Sequence, residues 1–219
     1  MQKDRTINQK TNSNKKPQAS PLKRIVMGIS GASGMIYAVR FLLKLPEGYQ
    51  VHLVPTENAL KIMKSEMGWD LEKETFSQYV ERSLGQTAPP VKIIPHHWQN
   101  QFASVGSGSF KTEGMVVVPC SSKTLAGIAS GYVNNLVERA AEVNMKERRP
   151  TVLIVRETPY TTIHLENMKR AALAGATILA ASPAFHHQPQ SIEDLADYVV
   201  AKTFDQLGIA HTFWQHWRE

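Results

Sequence analysis

Four short stretches of this 219-residue chain put groups able to bind anions directly behind apolar runs. After KRIVMGI comes Ser30-Gly31-Ala32-Ser33-Gly34; after YQVHLV and Pro55 comes Thr56; after MVVV and Pro119 comes Cys120-Ser121-Ser122-Lys123-Thr124; after TVLIV comes Arg156-Glu157-Thr158-Pro159. A small or hydroxyl-bearing residue between a strand and a helix leaves the first helical N–H groups free, and glycine lets the backbone approach a ligand closely. The result is an anion site, suited above all to phosphate. The signal of any one turn is modest. Ser33 is as readily a helix N-cap as a functional group, and GxSG-like turns also occur as plain connections that lack the dinucleotide spacing. Glu66, at the end of the helix that Thr56 opens, reads as a solvated surface carboxylate.

The elements that must position these turns alternate in type. Strands are expected at 23–29, 49–54, 91–94, 115–118, 151–155 and 177–180, the fourth stopping at Pro119. Helices are expected through Leu45, from Thr56 to about Met67, over 69–84, after the Ser121 turn, over 162–174 and from Ser191, whose Ser-Ile-Glu-Asp start resembles a capping box. Such repetition, with right-handed crossovers, predicts an α/β fold: a three-layer, doubly wound, Rossmann-like (flavodoxin-like) parallel sheet in a single domain. The turns then emerge at the carboxyl edge of the sheet, where open α/β folds bind ligands. Ser104–Ser109 is a small-residue segment, rich in Gly and Ser, that reads as readily as a mere flexible loop.

Charge is distributed unevenly. Residues 1–24 hold seven Lys/Arg against Asp4 alone, so the chain's net +6 belongs to its start and the remainder balances at 18 basic and 18 acidic residues. Residues 1–23 are therefore expected to be a disordered basic tail, 24–210 the folded domain, and 211–219 an aromatic segment packed on the body or on a neighbouring subunit. A polyanion argument reaches only the tail, which lacks aromatic interleaving, so nucleic acid is not expected as a partner. No apolar run approaches the ~20 residues of a membrane span. Cys120 is the single cysteine, which fits a reducing cytoplasm. His96 and His97 diverge in extended chain and no HExxH or cysteine-rich spacing occurs, so no metal is expected.

Taken together, GISGASG at 28–34, PCSSKTLAGIASGY at 119–132, NNLVERAAEVNMKERRP at 134–150, RETP at 156–159, IHLENM at 163–168 and PAFHHQPQSIEDL at 183–195 are similar to the UbiX/Pad-type flavin prenyltransferases, a flavoprotein family. The similarity covers roughly 24–210. It implies an enzyme that joins the dimethylallyl group of dimethylallyl phosphate to N5 and C6 of reduced FMN, making the prenylated cofactor of UbiD-type decarboxylases. It implies FMN binding by Gly31, Ala32, Ser33, Thr56, Ser121, Ser122, Lys123, Thr124 and Arg139. Lys146, Arg156, Glu157, His186 and Lys202 would bind the donor phosphate, some of them from adjacent subunits of a homo-oligomer, commonly a dodecamer. Ser33, Glu66 and Glu157 would be the catalytic groups, Ser33 and Glu66 relaying the proton lost from N5. One departure stands out: where the family reads Phe-Tyr-His, this chain has Phe185-His186-His187, so an imidazole replaces the phenol that meets the donor phosphate. Two rival readings share the fold. One is a flavin-dependent cysteine decarboxylase, for which the first glycine-rich turn lacks a histidine; the other is a flavin-binding accessory subunit without catalysis.

Overall fold

The structure is a computed structural model and describes residues 22–214. The strands are β1 Lys23–Ile29, β2 Tyr49–Pro55, β3 Lys92–Pro95, β4 Gly114–Cys120, β5 Thr151–Val155 and β6 Thr177–Ala180. The helices are α1 Met35–Lys44, α2 Glu57–Met67, α3 Phe76–Leu84, α4 Ser122–Ser130, α5 Leu136–Lys146, α6 Thr162–Leu173 and α7 Ile192–Leu207. All strand pairs are parallel, in the order β3-β2-β1-β4-β5-β6. The chain thus winds outward one way to β3, returns to the middle, and winds the other way from β4. Parallel strands covered on both faces must be apolar throughout, and residues 25–29 and 114–120 are buried without interruption.

Side chains alternate across the pleat into two cores. Ile25, Met27, Ile29, Val116 and Val118 join α1, α2, α3 and α7 on one face. Val26, Met115 and Val117 join α4, α5 and α6 on the other. Cys120 breaks the alternation: two positions beyond Val118, it lies with the opposite core. Its cause is a register shift between Val117 and Cys120 against β5, at Pro119, which has no N–H to give to the ladder. The fourth strand therefore does not stop at Pro119 as expected but passes through it to Cys120.

Other boundaries differ as well, the second strand running on to Pro55. The helix expected over 69–84 begins only at Phe76, because Thr75 and Gln78 close a capping box there. Ahead of it, Asp70–Glu74 forms a turn that Trp69 seals, its indole stacked on Tyr79 and its N–H donated to the Glu74 carbonyl. The third strand runs one residue later than expected, to Pro95. His96, beyond it, pairs with His52, Nδ1 to Nε2 at 2.8 Å, and burial pushes the His52 imidazole down to about 4, with His96 and Arg24 adding to the effect.

The expected basic tail falls almost wholly on residues 1–21, outside the described ones, as do residues 215–219 of the aromatic segment. Within that segment Phe213 packs on Phe204 and under the Lys44 ammonium, and Trp214 meets His187 and Tyr198. Among the described residues no helix is long and apolar enough to cross a membrane.

Candidate active site at the sheet's switch point

Where the winding reverses, between β1 and β4, the turns that follow them cannot cover the same ground, and a crevice opens at the carboxyl edge. The cleft measures about 300 Å³ and its walls come from four strand ends: Gly31 and Ala32 after β1, Thr56 to Asn58 after β2, Ser121 to Thr124 after β4, and Arg156 and Glu157 after β5. Trp98 and Asn135 complete it. Backbone bonds continue the sheet into this rim, from Thr56 N–H to the Ile29 carbonyl, Ser30 N–H to that of Pro119 and Arg156 N–H to that of Cys120.

Three helices start at the cleft, each capped locally. Thr56 accepts the Ala59 N–H, Ser121 the Thr124 N–H and Asn135 the Glu138 N–H, at 3.3, 3.3 and 3.1 Å. The caps of α2 and α4 leave other first-turn N–H groups available, whereas in α5 the Trp98 carbonyl takes the Leu136 N–H; each helix brings the positive end of its dipole to the same space. An anion such as a phosphate would be stabilised there without any one strong contact. The cleft also has the close backbone approach that a phosphate site uses: a Cβ on Gly31 would lie 2.7 Å from the Asn58 Cβ. Because that neighbour is the stiff base of a helical side chain, Gly31→Ala is expected to push the start of α2 outward, costing about 1–3 kcal/mol of stability and weakening FMN binding. Thermal denaturation and flavin titration of the variant check this.

Glu66 is exposed, as its sequence suggested, but its carboxylate is engaged. It folds back from the end of α2 to accept the Gly34 and Met35 N–H groups, both at 2.9 Å. Gly34, at φ 103°, is the N-cap of α1 and offers no side chain, so a carboxylate from another helix takes the capping place that Ser33 was a candidate for. Burial alone would raise the Glu66 carboxyl; the Ser33 hydroxyl, the Met35 and Gly34 N–H groups and the Arg156 charge outweigh it and hold it below the usual carboxylate range. Arg156 Nε donates to the Ser33 carbonyl at 3.0 Å. Glu157 accepts from the Ser122 hydroxyl, and that bond, with the Thr158 N–H, keeps its carboxyl low as well. Ser33, Glu66 and Arg156 thus form one connected group along the cleft's edge, with Ser122 and Glu157 beside it.

Four residues expected at the site lie elsewhere in a single chain. Arg139 is one turn into α5, but its guanidinium donates to the Gly106 carbonyl and pairs with Glu142. Lys146 ends the same helix, about 16 Å along the axis from the Asn135 cap, and lines a separate basic hollow with Arg148 and Arg149. Lys202, on α7, pairs with Asp205 at 3.2 Å. His186 is exposed in the loop before α7, edge-on to His187 and Tyr198. Conversely, Glu57, Asn58, Trp98 and Asn135 line the cleft without having been expected there. Asn135, followed three residues later by Glu138, carries a readable cap signal; Trp98 sits in a loop and carries none.

The Flavoprotein family matches residues 13–204. Flavin prenyltransferase UbiX of Alkalihalophilus pseudofirmus is 41% identical over 198 residues, 90% of this chain and 97% of that one. The crystal structure of AnUbiX (PadA1) in complex with FMN and dimethylallyl pyrophosphate aligns with a TM-score of 0.76 at 36% identity, over 90% of this chain and 100% of that one. A dodecameric FMN-dependent UbiX-like decarboxylase from Escherichia coli O157:H7 aligns at 0.77 and 35%, with the same coverage. With a cleft lined by four strand ends at its switch point and this likeness along nearly its whole length, the chain belongs to the UbiX-type flavin prenyltransferases of the flavoprotein family.

Proposed function

We propose that the protein transfers a dimethylallyl group from dimethylallyl phosphate to reduced FMN, giving the prenylated flavin that UbiD-type decarboxylases use. The observation that carries this reading is the meeting of three helix N-termini with Lys123 and Arg156 beside the acids Glu66 and Glu157. Bound reduced FMN supplies the nucleophilic N5 and C6 positions. Gly31, Ala32, Thr56 and the Ser121–Thr124 turn hold its phosphate through N–H and hydroxyl groups, and Trp98 offers an aromatic wall.

Departure of the donor phosphate leaves negative charge on that group and positive charge on the allyl fragment. A guanidinium fixed in advance by the Ser33 carbonyl stabilises the first, and an aromatic face the second. Ser33 and Glu66, adjacent at the start of α1, would take up a proton released from N5; Glu66 could do so because its carboxyl stays ionised. Lys146, His186, Lys202 and Arg139 enter through assembly: in a homo-oligomer, a dodecamer on the pattern of the related structure, groups remote from their own cleft complete a neighbour's. A cytoplasmic location is part of this proposal, supported by a single cysteine with no partner for a disulfide within the chain.

Mixing the protein anaerobically with reduced FMN and either dimethylallyl phosphate or the diphosphate, then weighing the flavin, tests the proposal. A gain of one prenyl unit is expected; unmodified flavin leaves only a flavin-binding accessory role. In the same assay His186→Tyr, which exchanges an imidazole N–H for a phenol of longer reach, is expected to lower the donor KM by up to about fivefold, or ~1 kcal/mol of better hydrogen-bond geometry to the phosphate. Equal constants would show that position 186 does not tune the donor site.

A further inference from the structure

We infer that Ser30, which does not face the cleft, is a positioning residue for flavin binding: its side chain sets the separation of the two turns that form opposite walls. It is fully buried, 0% exposed, between β1 and β4. Its Oγ donates to the Pro119 carbonyl at 3.0 Å and accepts the Ser121 N–H at 2.7 Å. Its backbone engages both turns too, the N–H going to the same Pro119 carbonyl and the C=O accepting the Ala32 N–H at 2.8 Å.

The need for this bridge lies in β4. Ladder pairing with β1 ends at Val117, and that with β5 shifts register before Cys120. Pro119 has no N–H, so beyond Val117 the backbone ties β4 to β1 only through the Ser30 N–H and the Pro119 carbonyl, and the Ser30 carbonyl that would receive the Ser121 N–H is turned to Ala32 instead. The Ser30 hydroxyl stands in for the missing ladder bond. Ser121 in turn caps α4, accepting the Thr124 N–H and donating to the Thr124 hydroxyl. Any slack at Ser30 therefore reaches the start of α4 and moves Ser122, Lys123 and Thr124 relative to Gly31 and Ala32. Phosphate binding shared among several N–H groups depends on their common aim, so a small displacement weakens all of them together.

The inference deepens the flavin-binding reading above and is tested on FMN affinity, which can be measured without prenyl transfer. The full chain, Ser30→Ala, Ser30→Thr and Thr151→Val are compared by FMN titration, turnover and thermal denaturation. Thr151→Val is the matched control, because its hydroxyl is equally buried and bonds the Arg149 carbonyl at the opposite edge of the sheet. Ser30→Ala is expected to weaken FMN binding about tenfold, and Ser30→Thr, which keeps the hydroxyl, to bring it back within about twofold. Thr151→Val should lose similar thermal stability and bind FMN as the native protein does. If Ser30→Ala does not fold, Ser30→Cys, a weaker hydrogen-bonding group of similar shape, takes its place with the same direction expected. Unchanged FMN affinity in a destabilised Ser30 variant overturns the inference. A native protein that binds FMN and prenylates nothing overturns the proposed activity instead, and the Ser30 comparison is still decided by affinity.

Discussion

Arg156→Ala should lower kcat/KM for the prenyl donor by about 10²–10³-fold, equivalent to ~2.7–4 kcal/mol of transition-state stabilisation. The expectation rests on how this guanidinium is held. Its Nε is committed to the Ser33 carbonyl at 3.0 Å, so the group is aimed before any substrate arrives and needs no reorientation as the phosphate departs. The positive charge also supports Glu66 and Glu157 in their ionised forms, so its loss disturbs the acids as well. FMN affinity should fall far less than the rate, since the flavin phosphate is met mainly by helix N-termini. Arg156→Lys should fall between: it keeps the charge but loses the planar fork that bonds a carbonyl and a phosphate at once. Steady-state kinetics with donor varied at saturating reduced FMN separate these effects. A loss confined to FMN affinity would remove Arg156 from the donor site.

Glu66→Gln should lower kcat by about 10²–10⁴-fold while FMN affinity changes little. The carboxylate accepts two backbone N–H groups and lies against the Ser33 hydroxyl, so it is oriented and ionised without competing for the flavin phosphate. Both N–H groups meet the single oxygen Oε2, so the amide oxygen of Gln can accept both, but its NH2 then replaces Oε1 and the group cannot accept a proton. Stability should fall too, by about 0.3–1 kcal/mol, through loss of an anion at the start of α1. The pH dependence has a definite sign. The folded-state pKa of Glu66 is depressed, so its contribution to stability is fully present above the ordinary carboxylate pKa of about 4.3 and disappears as pH falls through the lower folded value. The melting-temperature gap between native protein and Glu66→Gln should therefore narrow in acid below roughly pH 4. A gap that widened in acid would mean that the carboxyl is protonated in the fold.

Much of the rim could be read from local pattern because its parts satisfy themselves locally. Thr56, Ser121 and Ser191 each cap the helix they precede through a bond to a residue three positions on, and a hydroxyl behind an apolar run announces that arrangement wherever the chain goes next. The strand at Met115–Val118 was visible for a similar reason, since an unbroken apolar run has to be covered on both faces. Its continuation through Pro119 was not visible. Proline normally ends a central strand, and only the register shift against β5 shows how this one is accommodated. Trp69–Glu74 misled through composition: it looks like the first turn of an amphipathic helix, yet Thr75 and Gln78 set the start, and packing of Trp69 on Tyr79 fixes what precedes it. The chemical roles of Ser33, Glu66 and Lys146 came from likeness to a family and not from spacing.

By itself, then, the chain's order of residues determined the alternation of strand and helix, the caps, and the kind of anion the strand ends can meet. The caps are decided within three residues, by local hydrogen bonds, and the strands are announced by apolar runs that must be covered on both faces. Tertiary structure alone decided that Glu66 would cap a helix 31 residues away, that Trp98 would wall the cleft, and that Ser30 would accept the N–H of Ser121 across 91 positions. Such pairings depend on which strands become neighbours, and that is settled by burying two apolar faces at once, a condition no single stretch of the chain contains.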